Sequence, residues 1–148
     1  MKKNRKTSSS KKVFPVWGWG LLAVGVIVII GAVVLLSSKP SVAPLPPEIS
    51  VTQASQKRTQ GAFILDVREP SEWNQFHIPG ATLIPLGSLP NRLSEVPKDR
   101  EVVVVCRTGH RSAQGRDILL NAGFPRVTSM AGGVTEWQAQ GLPIATGQ

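Results

Sequence analysis

Tyrosine is absent from the 148 residues, and aromatic side chains make up only 5% of them. There is one cysteine, Cys106, so no disulfide can form within the chain. His77 and His110 are the only histidines, and neither stands with the cysteine at metal-ligand spacing, so no metal site is expected. No cofactor-binding fingerprint is present. Acidic residues are scarce, nine against 17 basic ones, for a formal charge of +8. That excess is concentrated in Lys2, Lys3, Arg5, Lys6, Lys11 and Lys12. Beyond them the balance is close to neutral, which argues against nucleic-acid binding, since that needs a basic stripe on the folded part.

Charge is missing altogether from Val13 to Ser38. The apolar stretch within it is long enough for the roughly 20 residues that a helix needs to cross a bilayer. Trp17 and Trp19 stand at one end, where an aromatic belt would lie. We therefore expect a basic, disordered tail over residues 1–13 and a transmembrane signal anchor over residues 14–36. A cleaved signal peptide is the main rival, but its apolar region is usually shorter, about 7–15 residues. The basic tail predicts a single-pass membrane protein with a cytoplasmic N-terminus and the remaining chain on the extracytoplasmic side. Residues 37–47 form a proline-rich linker that favours extended conformations.

The remainder, residues 48–148, alternates short apolar runs with helical patterns. Strands are expected at Ile49–Val51, Ala62–Val67, Ala81–Ile84, Glu101–Val105 and Arg126–Ser129. Helices are expected from a Thr52 cap to Gln60, from Pro70 to Trp73, from Arg111 or Ser112 to Ala122, and from Val134 to Gln140. A weak helical pattern over Leu86–Val96 is interrupted by Pro90. Short connections and this alternation predict an α/β fold, a doubly wound parallel sheet with helices on both faces. Sites in such sheets lie at the carboxyl ends of strands, where Asp66 and Cys106 both fall.

Cys106 ends a buried strand and precedes a helix across Arg107-Thr108-Gly109-His110-Arg111. Backbone N–H groups in such a turn form an anion cradle, and the helix N-terminus adds partial positive charge. Arg107 and Arg111 add full charges. A lone cysteine after an apolar strand is most often an inert core residue. The loop that follows favours a nucleophile here. Asp66 reads as support for the loop and His77 as part of a structural turn. Glu69 and Glu72 read as charge at a helix N-terminus, not as an acid/base pair.

Cys-Arg-Thr-Gly-His-Arg-Ser at 106–112 resembles the active loop of the rhodanese, or sulfurtransferase, family. Leu65-Asp66-Val67-Arg68, His77-Ile78-Pro79-Gly80-Ala81, and Gly132-Gly133 with Trp137 add to the resemblance in the family's order. The resemblance implies a rhodanese-like fold and transfer of a sulfane sulfur through a Cys106 persulfide. Arg107, Thr108, Gly109, His110 and Arg111 would bind the substrate. The implied partners are a small anionic donor such as thiosulfate and a thiol, cyanide or protein acceptor. A tethered sulfur-binding or sensing module is the alternative. A cysteine phosphatase or arsenate reductase fits less well, because the common phosphatase spacing puts an arginine at position 112, which is Ser112.

Overall fold

A computed structural model describes residues 44–147. The expected tail, the anchor at 14–36 and most of the linker lie outside those residues. Among the described residues, no helix is long and apolar enough to cross a membrane.

Five strands form one sheet: β1 (Glu48–Ile49), β2 (Phe63–Asp66), β3 (Thr82–Leu83), β4 (Val102–Val105) and β5 (Val127–Met130). Their spatial order is β1-β5-β4-β2-β3, and every pair is parallel. The helices are α1 (Val51–Thr59), α2 (Pro70–Trp73), α3 (His110–Asn121) and α4 (Gly133–Ala139). This is the expected α/β sheet.

Strand β4 sits in the middle, and its four valines are at most 1% exposed. Successive side chains point to opposite faces. Val102 and Val104 join one core with Leu65, Leu89 and Leu119, while Val103 and Val105 join the other with Ile64, Val134 and Trp137. An alternating polar pattern is absent because both faces are covered. Burying one such valine contributes roughly 1.5–3 kcal/mol. Cys106 continues the Val102–Val104 face, so its side chain belongs to the core that also contains α3 residue Leu119.

Several boundaries differ from the sequence expectation. Ser50, not Thr52, caps α1: its hydroxyl accepts from Gln53 N–H, and the Gln53 side chain accepts from Ser50 N–H. This reciprocal capping box fixes the start two residues early. Leu86–Val96 yields two 3-10 turns, Leu86–Asn91 and Leu93–Glu95, rather than an α-helix. Pro90 lacks the N–H that a longer α-helix would use. Helix α3 begins at His110, because Gly109 adopts φ +106° and serves as its cap.

Candidate active site

The carboxyl end of β4 delivers Cys106 to the loop, and the sheet positions it there. The sulfur is only 1% exposed with its residue, yet it meets polar groups. Gly109 N–H donates to Sγ at 3.1 Å. Ser112 Oγ lies 3.7 Å from Sγ, and its hydroxyl donates to the Gly109 carbonyl at 2.7 Å. Gly109 is favoured here by its positive φ; a Cβ would meet Met130 O and Gly132 N only at an ordinary contact distance of 3.5 Å.

Helix α4 sets the orientation of the loop. Val134 N–H donates to the Cys106 carbonyl at 2.8 Å, and Thr135 N–H donates to the Arg107 carbonyl at 3.1 Å. In a trans peptide the carbonyl and the following N–H point in opposite directions. Anchoring both carbonyls on α4 therefore turns the N–H groups of Arg107 and Thr108 away from it. The resulting turn offers donors, not acceptors, to a charge beside the sulfur. Gly133 permits this approach, with φ +61° and a missing Cβ that would strike the carbonyls of Cys106 and Arg107.

Arg111 leaves the first turn of α3 and makes a two-pronged ion pair with Glu72 of α2. Nη1 and Nη2 each donate to a different carboxylate oxygen at 2.7 Å. Glu72 also accepts from Glu69 N–H at 3.1 Å. The Arg111 hydrogen bond, aided by that backbone donor, holds the Glu72 carboxyl down to about 2 against burial. Arg111 is raised in turn, first by its bond to Glu72 and also by its proximity to Cys106.

Asp66, at the carboxyl end of β2, faces Arg68. The guanidinium donates to both carboxylate oxygens, the shortest contact being 2.7 Å, and Arg68 N–H donates at 3.0 Å. Both side chains are at least 98% buried. Arg68 then reaches the carbonyl of Phe76 at 2.9 Å. Asp66 thus braces the segment around Glu72 and Phe76, not the cysteine loop directly. His77 is tied to Ala145 by reciprocal backbone bonds of 2.8 and 2.9 Å and stacks on Trp73 at 3.8 Å, a structural part as expected.

Thus Cys106, Gly109, Arg111 and the backbone of Arg107 meet in one place. The Arg107, Thr108 and His110 residues are exposed at its rim. Sequence reasoning had Arg68 and Ser112 within the family-like motifs but gave them no role, and it read Glu72 only as charge at a helix N-terminus. Ser112 stands six residues after the cysteine, on the first turn of α3. Arrangement and charge suit a sulfur nucleophile that reacts with, or becomes, an anion.

Comparison with known proteins agrees with this chemistry. Residues 50–140 match the family described as the rhodanese-like domain. A sulfurtransferase of Allochromatium vinosum is 41% identical over 99 residues, covering 66% of this chain and 92% of that protein. The thiosulfate sulfurtransferase GlpE of Stutzerimonas stutzeri is 35% identical over 94 residues, covering 64% and 83%. The crystal structure of a rhodanese-related protein from Thermoplasma volcanium superposes with a TM-score of 0.63 at 26% identity, covering 68% of this chain and 98% of that one. These similarities support sulfur transfer as the general chemistry. The chain belongs to the rhodanese-like domain family.

Proposed function

We propose that the protein is a thiosulfate sulfurtransferase-like enzyme that carries sulfane sulfur as a Cys106 persulfide. The observation that carries this reading is the cradle: Gly109 N–H is 3.1 Å from Sγ, and α4 turns the Arg107 and Thr108 N–H groups away from itself. With thiosulfate, the Cys106 thiolate attacks the outer sulfur. The sulfur–sulfur bond of the donor breaks, and sulfite leaves with the bonding electron pair. The persulfide anion then rests among backbone donors. A nucleophilic acceptor such as cyanide or a thiolate attacks its terminal sulfur and restores the Cys106 thiolate. One transfer is thereby divided into two easier displacements.

Arg111 serves this chemistry as a fixed positive charge beside the cradle, since Glu72 holds its orientation. Arg107, Thr108, Gly109 and His110 bind through the loop. Asp66 acts as a support through Arg68. The six-residue loop from Cys106 to Arg111 favours one sulfur atom over a tetrahedral oxyanion, which separates the reading from a phosphatase.

Treatment of the purified protein with thiosulfate should add the mass of one sulfur in wild type and none in Cys106→Ser. Multiple-turnover release of sulfite identifies an enzyme; one stoichiometric loading without turnover identifies a sensing module. Failure of wild type to gain sulfur would refute the carrier role.

From the sequence alone we propose that residues 14–36 anchor the chain, with the N-terminus cytoplasmic and the sulfurtransferase domain across the membrane. Protease added after opening the outer layer of intact cells should degrade the domain. Complete protection would reverse this orientation.

A further inference from the structure

A cavity of about 290 Å³ lies at the amino ends of β2, β4 and β5, the end of the sheet opposite Cys106. Its polar walls come from three separate segments. Lys57 lies on α1 with Gln60 just past it, Asp99, Arg100 and Glu101 lead into β4, and Arg126 immediately precedes β5. Strand β4 has four residues, so it alone puts about 13 Å between this cavity and the cysteine loop. The volume is that of roughly ten waters, room for a small polar group.

Glu101 is already committed. Lys57 Nζ donates to one of its oxygens at 2.7 Å and Arg126 Nη2 to the other at 2.6 Å. The Lys57 bond, supported by Arg126, holds the Glu101 carboxyl below its ordinary value against burial, so it stays ionised at neutral pH. Asp99 and Arg100 have no ion-pair partner among the described residues. The Arg100 guanidinium lies 5.7 Å from the centroid of the Phe63 ring. Three cations therefore face two carboxylates, and the walls carry a net positive charge. One donor is unmet: Nε of Arg126 is buried and has no hydrogen-bond partner among the described residues. Buried donors are nearly always paired, so this guanidinium lacks an acceptor. Lys57 keeps further N–H groups beyond the one given to Glu101.

These walls select the shape and the charge of an occupant. A planar carboxylate is matched by the fork of one guanidinium. A tetrahedral anion instead spreads its oxygens over donors from several elements, and arginine and lysine both bind such groups. One negative charge suits the net charge of the walls. A second would add repulsion from the Asp99 and Glu101 carboxylates. A phosphodiester is tetrahedral and carries one charge. We propose that this cavity binds a phosphodiester group, held by Lys57, Arg100 and Arg126. Soluble diesters and lipid headgroups share this chemistry. The site uses no residue of the Cys106 loop, so it stands apart from sulfur transfer.

Two arms test this on the full chain. In the first, isotope-labelled protein in a nonionic detergent is titrated with dimethyl phosphate or with acetate at constant ionic strength. The arginine Nε–H NMR signals are followed, with Arg100→Lys and Arg126→Lys assigning the two that matter. Dimethyl phosphate should shift both saturably and bind about threefold more tightly than acetate, and Arg100→Gln should weaken it about threefold. No saturable shift, equal binding of acetate, or binding that Arg100→Gln leaves unchanged would overturn the proposal. In the second arm the protein is placed in bicelles of phosphatidylcholine with or without phosphatidylglycerol, and no soluble diester is added. Movement of the Arg100 and Arg126 signals with phosphatidylglycerol supports the site with a lipid headgroup as its ligand. Signals that stay in place but still respond to dimethyl phosphate support it with a soluble diester. An equal shift at Arg107, at the other end of the sheet, would mark general attraction to an anionic surface and overturn the assignment to the cavity.

Discussion

Gly133→Ala should distort the loop that carries Cys106. The new methyl group would collide with the carbonyls of Cys106 and Arg107, which approach Gly133 because Val134 and Thr135 hold them. The left-handed backbone, φ +61°, costs an alanine about 1–2 kcal/mol. Relief of the collision requires α4 and the loop to separate, and the two hydrogen bonds lost contribute about 0.5–1.5 kcal/mol each. The expected destabilisation is therefore about 2–5 kcal/mol. Gly61→Ala supplies the control: φ is +91°, but nothing lies within 4 Å of the added carbon, so only the backbone cost remains. Urea unfolding of both variants separates strain from collision. Sulfur loading of Cys106, followed by mass spectrometry under conditions where Gly133→Ala is still folded, reports the cradle itself. Loading should fall at least tenfold, because released carbonyls no longer fix the direction of the Arg107 and Thr108 N–H groups (about 1.4 kcal/mol per tenfold). Equal stability losses in the two variants, with normal loading in Gly133→Ala, would refute the claim that α4 shapes the loop.

Three further outcomes follow from individual contacts. Glu72 stays ionised in the folded protein down to about pH 2, whereas its ordinary value is 4.5, so its ion pair contributes fully above pH 4.5 and is lost as pH falls towards 2. Partial exposure reduces that contribution to about 1 kcal/mol, and the stability difference between wild type and Glu72→Gln, measured by urea unfolding, should shrink to nothing across this window. Asp66→Asn leaves the Arg68 charge buried without a full counter-charge and should cost about 3–5 kcal/mol, with part of it recovered when Arg68→Met is added; an unchanged midpoint would show that the pair carries no weight. Gly115→Ala would place a carbon 3.1 Å from Val104 Cγ1 and 3.3 Å from Val67 Cγ1, and should lower stability by about 1–3 kcal/mol by thermal unfolding, because those side chains are locked between strand and helix.

The fold was legible because each element announces itself locally. The valine run of β4 can be satisfied only where both faces are covered, and the glycines at 61, 109 and 123 punctuate the chain near the element boundaries. Parallel pairing followed from the alternation of strand and helix. What failed were ends and regularity. Ser50 with Gln53 has the capping-box spacing and Thr52 with Ser55 does not, so this cap was readable from the sequence. The weak helical pattern over Leu86–Val96 is realised as two short 3-10 turns, the first of which contains both the buried Leu89 and Pro90.

The proposed nucleophile and its loop are contiguous in the sequence, whereas the electrostatics around them are not. Arg107 and Arg111 look alike in sequence: both flank the same turn, and each contributes one charge. Their difference arises 39 residues upstream of Arg111, where Glu72 fixes the second arginine and leaves the first without a partner among the described residues. Read locally, Glu72 belongs to the start of α2, and it does close that helix's capping arrangement with Glu69. Its second role depends on the sheet order, since β2 and β4 must be neighbours before the segments following them can meet. Asp66 and Arg68 extend the same dependence by tying that segment back to the end of β2. A motif on one loop thus points to the proposed reacting atom, while the parallel pairing of β2 with β4 decides which of the loop's charges is left without an ion-pair partner among the described residues.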